Sequence, residues 1–315
     1  MRPPSVVTPP ARRPIWARVA PLTVWIAGAA LAAAPGPAPT IDDAAAATYR
    51  GLADLPAAVT LRDGTWEGEP YAPGGASRPR AKLERGMRLT GDVDGDGAAE
   101  AVVFLSASGG GSGAFLHLAV LGRRDGQVVV LATLPIGDRV QLRTARIENN
   151  AIVLGVLQTG PSDAMCCPGE LATRTVVMAD DGRLVERAPS NVARLSPAIL
   201  EGREWVLRRF APGDPAPTQP EVTLVVDGDR WAGSSGCNRY MATAKPAEQP
   251  GGVAIGPVAG TRKACPEAVM AVEDRYLRTL ARVVRFGFRT GRLVLTAPGD
   301  DRSDSLEFDS RPLVK

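Results

Sequence analysis

The sequence predicts a mainly β protein of the α+β class: an N-terminal antiparallel β domain, then a small β-sheet or open barrel carrying one helix. Short apolar runs alternate with turn dipeptides such as Asp125-Gly126 and Asn149-Asn150, a pattern typical of antiparallel strands. One long segment, beginning at Pro266, instead repeats apolar residues at helical spacing. Apolar residues make up 44% and charged residues 23% of the 315 residues, which excludes wholesale disorder.

The first 34 residues have the order of a secretory signal peptide. Four arginines and no acid precede an apolar, Ala-rich run over residues 19–34, and Ala30-Leu31-Ala32 fits the cleavage pattern. The run is shorter than the roughly 20 residues of a spanning helix, so we expect no stable transmembrane anchor after cleavage. An uncleaved N-terminal anchor is the alternative. We therefore expect export to the periplasm or cell envelope, without lipid attachment at a leader cysteine because the first cysteine is Cys166.

Removal of the leader changes the formal net charge from +3 to −1, because it takes away four arginines. A near-neutral body lacks the basic surface that holds polyanions, so we expect no nucleic-acid partner.

The predicted first domain spans residues 40–190. Asp42 is expected to cap a helix over residues 43–52. Residues 61–66 predict a strand, an Asp63-Gly64 turn and a second strand. Further strands are predicted over residues 82–89, 101–106, 115–121, 128–134, 140–147, 152–158, 173–178 and 183–186.

A linker over residues 191–203 is expected to precede the second domain, residues 204–312. Its helix is predicted to begin with Pro266 at the first helical position and to extend to residue 283. The apolar stripe Val269, Val272, Tyr276, Leu280 and Val283 must pack on a sheet. Strands are predicted over residues 205–210, 222–226, 230–233, 285–289, 292–296 and 305–308.

The stretch from Asp92 to Glu100, DVDGDGAAE, is the most chemically specific in the chain. Its four carboxylates would repel one another without a cation, and alternate oxygens on a tight turn suit calcium. An EF-hand would need Glu at the twelfth position, where Val103 stands. The alternative is an Asx-rich hairpin without an ion. We predict a structural Ca²⁺ that locks the turn.

The loop resembles the integrin-type FG-GAP calcium loop, with Glu100 in place of the last Asp. The resemblance implies side-chain ligands Asp92, Asp94, Asp96 and Glu100 and a carbonyl ligand from Ala98.

The four cysteines form two separate groups. Cys237 and Cys265 are a candidate disulfide for an oxidising compartment, or alternatively two small buried thiols. Cys166 and Cys167 are adjacent, so they are either a vicinal disulfide or two thiols. Their spacing is not that of a CxxC redox motif.

The last third of the chain, from about Leu200 to Ser310, resembles the META domain family, also called HslJ-like. The matching segments are Trp205-Val206-Leu207, Gly236-Cys237-Asn238-Arg239-Tyr240, Thr261-Arg262-Lys263-Ala264-Cys265, Glu273, Tyr276-Leu277, Leu280 and Leu293-Val294-Leu295. The resemblance implies a compact sheet-plus-helix domain on exported or envelope proteins, linked to stress tolerance and without catalytic residues or a cofactor.

The N-terminal half resembles the region often found before META domains, with which it shares Ala47-Thr48-Tyr49, the Asp92 loop, the glycine-rich segment 109–113 and Met165-Cys166-Cys167-Pro168. It is also similar to envelope lipoproteins of the LppP/LprE type. We therefore expect a non-enzymatic envelope protein that binds an envelope protein, a peptide or a lipid, or serves in stress response.

The alternative is a hydrolase of an envelope substrate. It would need His117, the only histidine, to serve Ser106, Ser108 or Ser112, or it would need two carboxylates among Glu148, Asp163 and Glu170. The strand pattern around His117 predicts a surface or half-buried side chain.

Overall fold

The computed structural model describes residues 36–164, 166–210, 213–299 and 303–313. The predicted signal peptide, residues 1–34, lies outside these ranges. Within them, no helix has the length and apolar character needed to cross a membrane.

The elements follow one another as strands with two helices and a 3-10 turn. They are α1 Ile41–Ala45, β1 Thr48–Arg50, β2 Ala58–Thr60, β3 Thr65–Glu67, β4 Arg80–Gly91, β5 Glu100–Ser108, β6 Phe115–Arg124, β7 Gln127–Asp138, β8 Gln141–Glu148, β9 Ala151–Gln158, β10 Glu170–Met178, β11 Leu184–Glu186, β12 Ser190–Arg194, the turn Pro197–Leu200, β13 Arg203–Phe210, β14 Asp214–Pro215, β15 Thr223–Asp227, β16 Arg230–Ser234, β17 Arg239–Pro246, β18 Val253–Ile255, β19 Ala259–Gly260, α2 Glu267–Leu280, β20 Arg285–Arg289, β21 Arg292–Ala297 and β22 Asp304–Pro312.

The N-terminal half consists mainly of two antiparallel sheets, in the strand orders β3-β4-β5-β6-β7 and β11-β10-β9-β8, with β12 also paired to β10. A core that includes Phe104 and Leu118 from the first sheet and Leu154 from the second joins them. The predicted Asp63-Gly64 turn is confirmed: both residues have positive φ, 49° and 76°, as a two-residue hairpin turn requires.

The first helix differs from the prediction over residues 43–52, because it spans only Ile41–Ala45. Thr40, rather than Asp42, caps it: Thr40 Oγ1 accepts a hydrogen bond from Asp43 N at 3.1 Å, and Asp43 Oδ2 accepts one from Thr40 N at 2.8 Å. The chain then turns into β1, where Tyr49 is buried and donates to Ala44 O at 2.7 Å. Tertiary burial of Tyr49 thus outweighs the helix propensity of the alanines.

The segment predicted as a linker, residues 191–203, is structured. It holds most of β12, which pairs with β10, and the 3-10 turn Pro197–Leu200. Arg194 at the end of β12 also forms an ion pair with Asp163 at 2.5 Å. The span therefore adds a strand to the N-terminal half before β13 begins.

The C-terminal half is a sheet with the main order β18-β17-β16-β15-β13-β22-β21-β20, to which β14 and β19 add short pairings. Its ends approach each other, because Val253 N donates to Val284 O at 3.0 Å and Phe286 N to Gly251 O at 2.8 Å, which leaves a near-closed barrel. Helix α2 begins at Glu267, with Pro266 as its N-cap rather than its first residue, and it ends at Leu280 rather than at 283. Tyr276 and Leu280 are fully buried in the core. The predicted fold class is confirmed.

The two halves share a core and backbone contacts. Leu157 and Leu171 of the N-terminal half belong to the core of the C-terminal half. Gln141 Oε1 accepts a hydrogen bond from Phe288 N at 2.6 Å. Gly287 makes this approach possible, since a Cβ there would lie 2.6 Å from Gln141 Oε1. The described residues of both halves form one compact unit.

Candidate functional site

The acidic loop connects β4 to β5, and three of its carboxylates converge. Asp92, Asp94 and Glu100 each offer an oxygen, and these oxygens lie within 4.8 Å of one another. Calcium binds oxygens at 2.3–2.6 Å, so two ligands of one ion lie at most about 5 Å apart, and the spacing fits. Asp96 is not in this group, and its Oδ1 accepts from Ala98 N at 2.7 Å.

The loop's own hydrogen bonds give it this shape. Asp92 accepts from Gly95 N at 2.6 Å and from Gly97 N at 3.1 Å. Both glycines have φ near 85°, a conformation that other residues rarely adopt. The same hydrogen bonds are expected in an Asx-rich hairpin without an ion, which is the alternative interpretation. The feature that favours a cation is therefore the convergence of the carboxylates.

Glu100 is the buried acid of the loop. Its side chain is 3% exposed, and Oε2 accepts a hydrogen bond from Val93 N at 2.8 Å. Burial raises the pKa of Glu100, the bond from Val93 opposes this, and the charges of the neighbouring aspartates raise the pKa further. A divalent ion would neutralise the cluster.

The cysteine pair of the C-terminal half is bonded. Cys237 and Cys265 form a disulfide, and their Cα atoms lie 6.0 Å apart. The bond joins the turn after β16 to the segment that leads into α2. Gly236 in that turn has a φ of 109°.

A buried carboxylate organises the same turn, and sequence analysis gave it no role beyond the family pattern. Glu273, on α2, is 7% exposed and accepts from Ser235 Oγ at 2.5 Å, from Asn238 N at 2.8 Å and from Asn238 Nδ2 at 2.9 Å. Asn238 Oδ1 in turn accepts from Lys263 N and Thr261 Oγ1, both at 2.7 Å. In the sequence, the signal for this role is an acidic residue three positions before Tyr276, within the apolar stripe of the helix.

Cys166 and Cys167 are also bonded, as a vicinal disulfide. Cys166 is exposed and Cys167 is 7% exposed. Arg285 Nη2, on β20, lies 2.7 Å from Cys167 Sγ.

The side chain of His117 is fully buried, contrary to the surface or half-buried position predicted for it. Strand β6 is an inner strand of its sheet, with β5 on one side and β7 on the other. His117 Nε2 accepts from Ala53 N at 2.8 Å, and burial lowers the pKa of His117. Ser106 Oγ instead donates to Glu84 at 2.9 Å. The structure therefore does not pair this serine with the histidine.

The carboxylates of the hydrolase alternative lie in structural contacts. Glu148 binds Arg146, while Asp163 accepts from Gly160 N at 2.8 Å and Gly169 N at 2.7 Å. Glu170 accepts from Gln158 Nε2 at 2.8 Å.

A groove of about 850 Å³ lies between the β3–β4 hairpin and the outer face of the C-terminal barrel. We call it the inter-sheet groove; its charged lining residues are Asp63, Lys82, Glu84, Arg85, Arg209, Arg289, Arg292 and Glu307. Arg85 pairs with Asp63 at 2.7 Å and Arg289 with Glu307 at 2.9 Å. Within the described ranges, Lys82, Arg209 and Glu84 form no ion pair, and the charged lining residues comprise five cations and three anions.

Residues 198–310 match the family model of the META domain, which confirms the resemblance predicted for this part of the chain. Four chains of solved structures match. One of them is the NMR structure of a protein from Burkholderia xenovorans, to which this chain is 28% identical with a TM-score of 0.30. The match covers 37% of this chain and 89% of that chain. No curated protein matches.

Proposed function

We propose that this chain is an exported, non-enzymatic envelope protein that binds an extended acidic segment of a partner protein in the inter-sheet groove. The observation that carries the proposal is the groove itself, about 850 Å³ in volume and lined by both halves of the molecule. The match of residues 198–310 to the META domain supports an envelope or stress-related role, and the signal-like order of residues 1–34 supports export.

The chemistry of the groove favours a peptide over a lipid. Its walls are rich in charged and hydroxyl side chains, and the charged ones comprise five cations and three anions, which suits an acidic segment. The barrel interior is filled, because Trp205, Trp231 and Tyr276 are buried there. A ligand therefore has the surface groove rather than an internal cavity in which to bind.

Site-specific photo-crosslinking in cells tests the groove. A photoreactive residue at Val294, in the groove, should capture a partner, whereas one at the exposed Val192 on β12 should not. Arg209→Glu should abolish the Val294 adduct by reversing an unpaired charge. Equal capture at both positions, or capture insensitive to Arg209→Glu, would contradict the proposal.

We also propose that Ca²⁺ braces the β4–β5 loop. Asp92, Asp94 and Glu100 would hold the ion, with Asp96 and the Ala98 carbonyl as the remaining predicted ligands. The ion would supply charge neutralisation between two neighbouring strands of the first sheet, not a catalytic step. The converging oxygens and the buried Glu100 support this role.

Unfolding with calcium or EDTA tests the brace. With Kd on the order of 10⁻⁴ M, about 10 mM Ca²⁺ should stabilise the protein by roughly 2.7 kcal/mol relative to EDTA. Asp94→Asn should remove most of this difference. Asp227→Asn, in the Asp-Gly-Asp turn after β15, is the matched control and should retain it. An EDTA-insensitive wild-type midpoint together with no calcium bound in a titration would disprove the site.

A further inference from the structure

We propose that the Cys166–Cys167 disulfide is a thiol-exchange site: a dithiol protein attacks Cys166, and Cys167 leaves as a thiolate held by Arg285. The two sulfurs belong to the N-terminal half and the guanidinium to β20 of the barrel, so the site lies where the halves meet.

The two cysteines differ in their access to solvent. Cys166 is exposed and lines a cleft of about 480 Å³ that adjoins the inter-sheet groove. Cys167 is 7% exposed, and its backbone N donates to Ala164 O at 2.9 Å. An incoming thiolate can therefore approach Cys166 but is shielded from Cys167.

Arg285 is placed to stabilise the leaving group. Its Nη2 lies 2.7 Å from Cys167 Sγ, and the same nitrogen contacts Gln249 Oε1 at 3.3 Å. Among the described residues, no carboxylate forms an ion pair with Arg285, so its charge is available to a thiolate. A guanidinium beside a sulfur favours the thiolate, and a better thiolate leaves faster in disulfide exchange.

The vicinal bridge is poorly suited to a purely structural role. A disulfide stabilises a protein mainly by restricting the unfolded chain, and this effect grows with the loop that it closes. Cys166 and Cys167 are adjacent and close almost no loop, whereas Cys237 and Cys265 are 28 residues apart. The Cys237–Cys265 pair therefore has the separation typical of a stabilising disulfide, whereas the Cys166–Cys167 pair has an exposed sulfur and a neighbouring cation.

The exchange balances as two thiol steps. The attacking thiolate forms a bond to Cys166 Sγ, the Cys166–Cys167 bond breaks, and its electron pair stays on Cys167 Sγ beside Arg285. The second thiol of the partner, as its thiolate, then attacks the mixed disulfide and releases Cys166 as a thiolate, which takes a proton from water. The dithiol is oxidised to a disulfide by two electrons, and the cysteine pair is reduced.

Reduction kinetics of the full mature protein test the proposal. With dithiothreitol in excess, alkylation and mass spectrometry should show Cys166–Cys167 reduced before Cys237–Cys265. Arg285→Met should slow reduction of the vicinal pair about fivefold by removing the charge that stabilises the leaving thiolate. Arg285→Lys should restore most of the rate, and Arg230→Met, at an exposed site on β16, is the matched control.

A second measurement does not depend on any variant folding. A thioredoxin whose resolving cysteine is replaced by serine should be trapped on the wild-type protein, with peptide mapping placing the mixed disulfide on Cys166. A mixed disulfide on Cys167, a rate unchanged by a folded Arg285→Met variant, or two free thiols in protein purified under oxidising conditions would each overturn the proposal.

Discussion

Glu273 shows what one buried carboxylate does for a sequence motif. It accepts three hydrogen bonds from Ser235 and Asn238, and through Asn238 it connects α2 to the segment around Lys263. Burial alone would raise the pKa of Glu273, but these hydrogen bonds outweigh it and hold the pKa below its ordinary value of 4.5. The motif Gly236-Cys237-Asn238 is therefore first a structural feature.

Replacement of this carboxylate should destabilise the protein. Glu273→Gln keeps the shape of the side chain, but its amide nitrogen donates hydrogen bonds and cannot accept those of Ser235 and Asn238. We therefore expect the free energy of unfolding to fall by about 1–3 kcal/mol. Urea unfolding measures the change as a lower midpoint at constant slope. Glu267→Gln, exposed in the first turn of α2, is the control and should change the midpoint little.

The same carboxylate predicts a pH dependence. The pKa of Glu273 is lower in the folded state than in the unfolded state, where it is near 4.5. The stability that the carboxylate provides is therefore complete above pH 4.5 and is lost as the pH falls through the folded-state pKa. The difference in stability between wild type and Glu273→Gln should therefore shrink as pH drops below 4.5. A difference that stays constant down to pH 3 would show that the ionised form is not what the site stabilises.

At the scale of elements, the strands of the first sheet explain an error of sequence analysis. Phe104 and Leu118 face the core between the two sheets, whereas Val103 and Ala119 face a second core under α1. Strands β5 and β6 are thus buried on both faces, and alternation no longer separates buried from exposed positions. For this reason His117 lies inside the protein, although the pattern around it suggested otherwise.

The two disulfides should differ in their effect on stability. On the chain-entropy model, loss of the Cys237–Cys265 bridge costs about 3.5 kcal/mol, whereas loss of Cys166–Cys167 costs only about 1 kcal/mol. Unfolding of Cys237→Ser/Cys265→Ser and Cys166→Ser/Cys167→Ser measures both. Equal losses of stability would contradict a structural role for Cys237–Cys265 and an exchange role for Cys166–Cys167.

At the scale of the molecule, the halves are expected to unfold together, since Leu157 and Leu171 complete the core of the barrel. Gln141→Ala would leave Phe288 N without its acceptor, at a cost of about 1–3 kcal/mol. Calorimetry should show one transition for the wild type and a lower midpoint for the variant, with the exposed Gln127→Ala as control. Two separate transitions in the wild type would contradict a shared core.

The fold class and most strands can be predicted from the amino-acid sequence alone, as can the Asp63-Gly64 turn, the position of α2 and the META resemblance of the C-terminal third. These features depend on residues a few positions apart, so their signals are local. Four further features become visible in three dimensions: which acids of the loop converge, the hydrogen bonds of Glu273 to the Asn238 turn, the burial of His117, and the contact of Arg285 with Cys167 across 118 residues of chain. Contacts of this kind arise when distant segments pack, and no periodicity in the sequence records them.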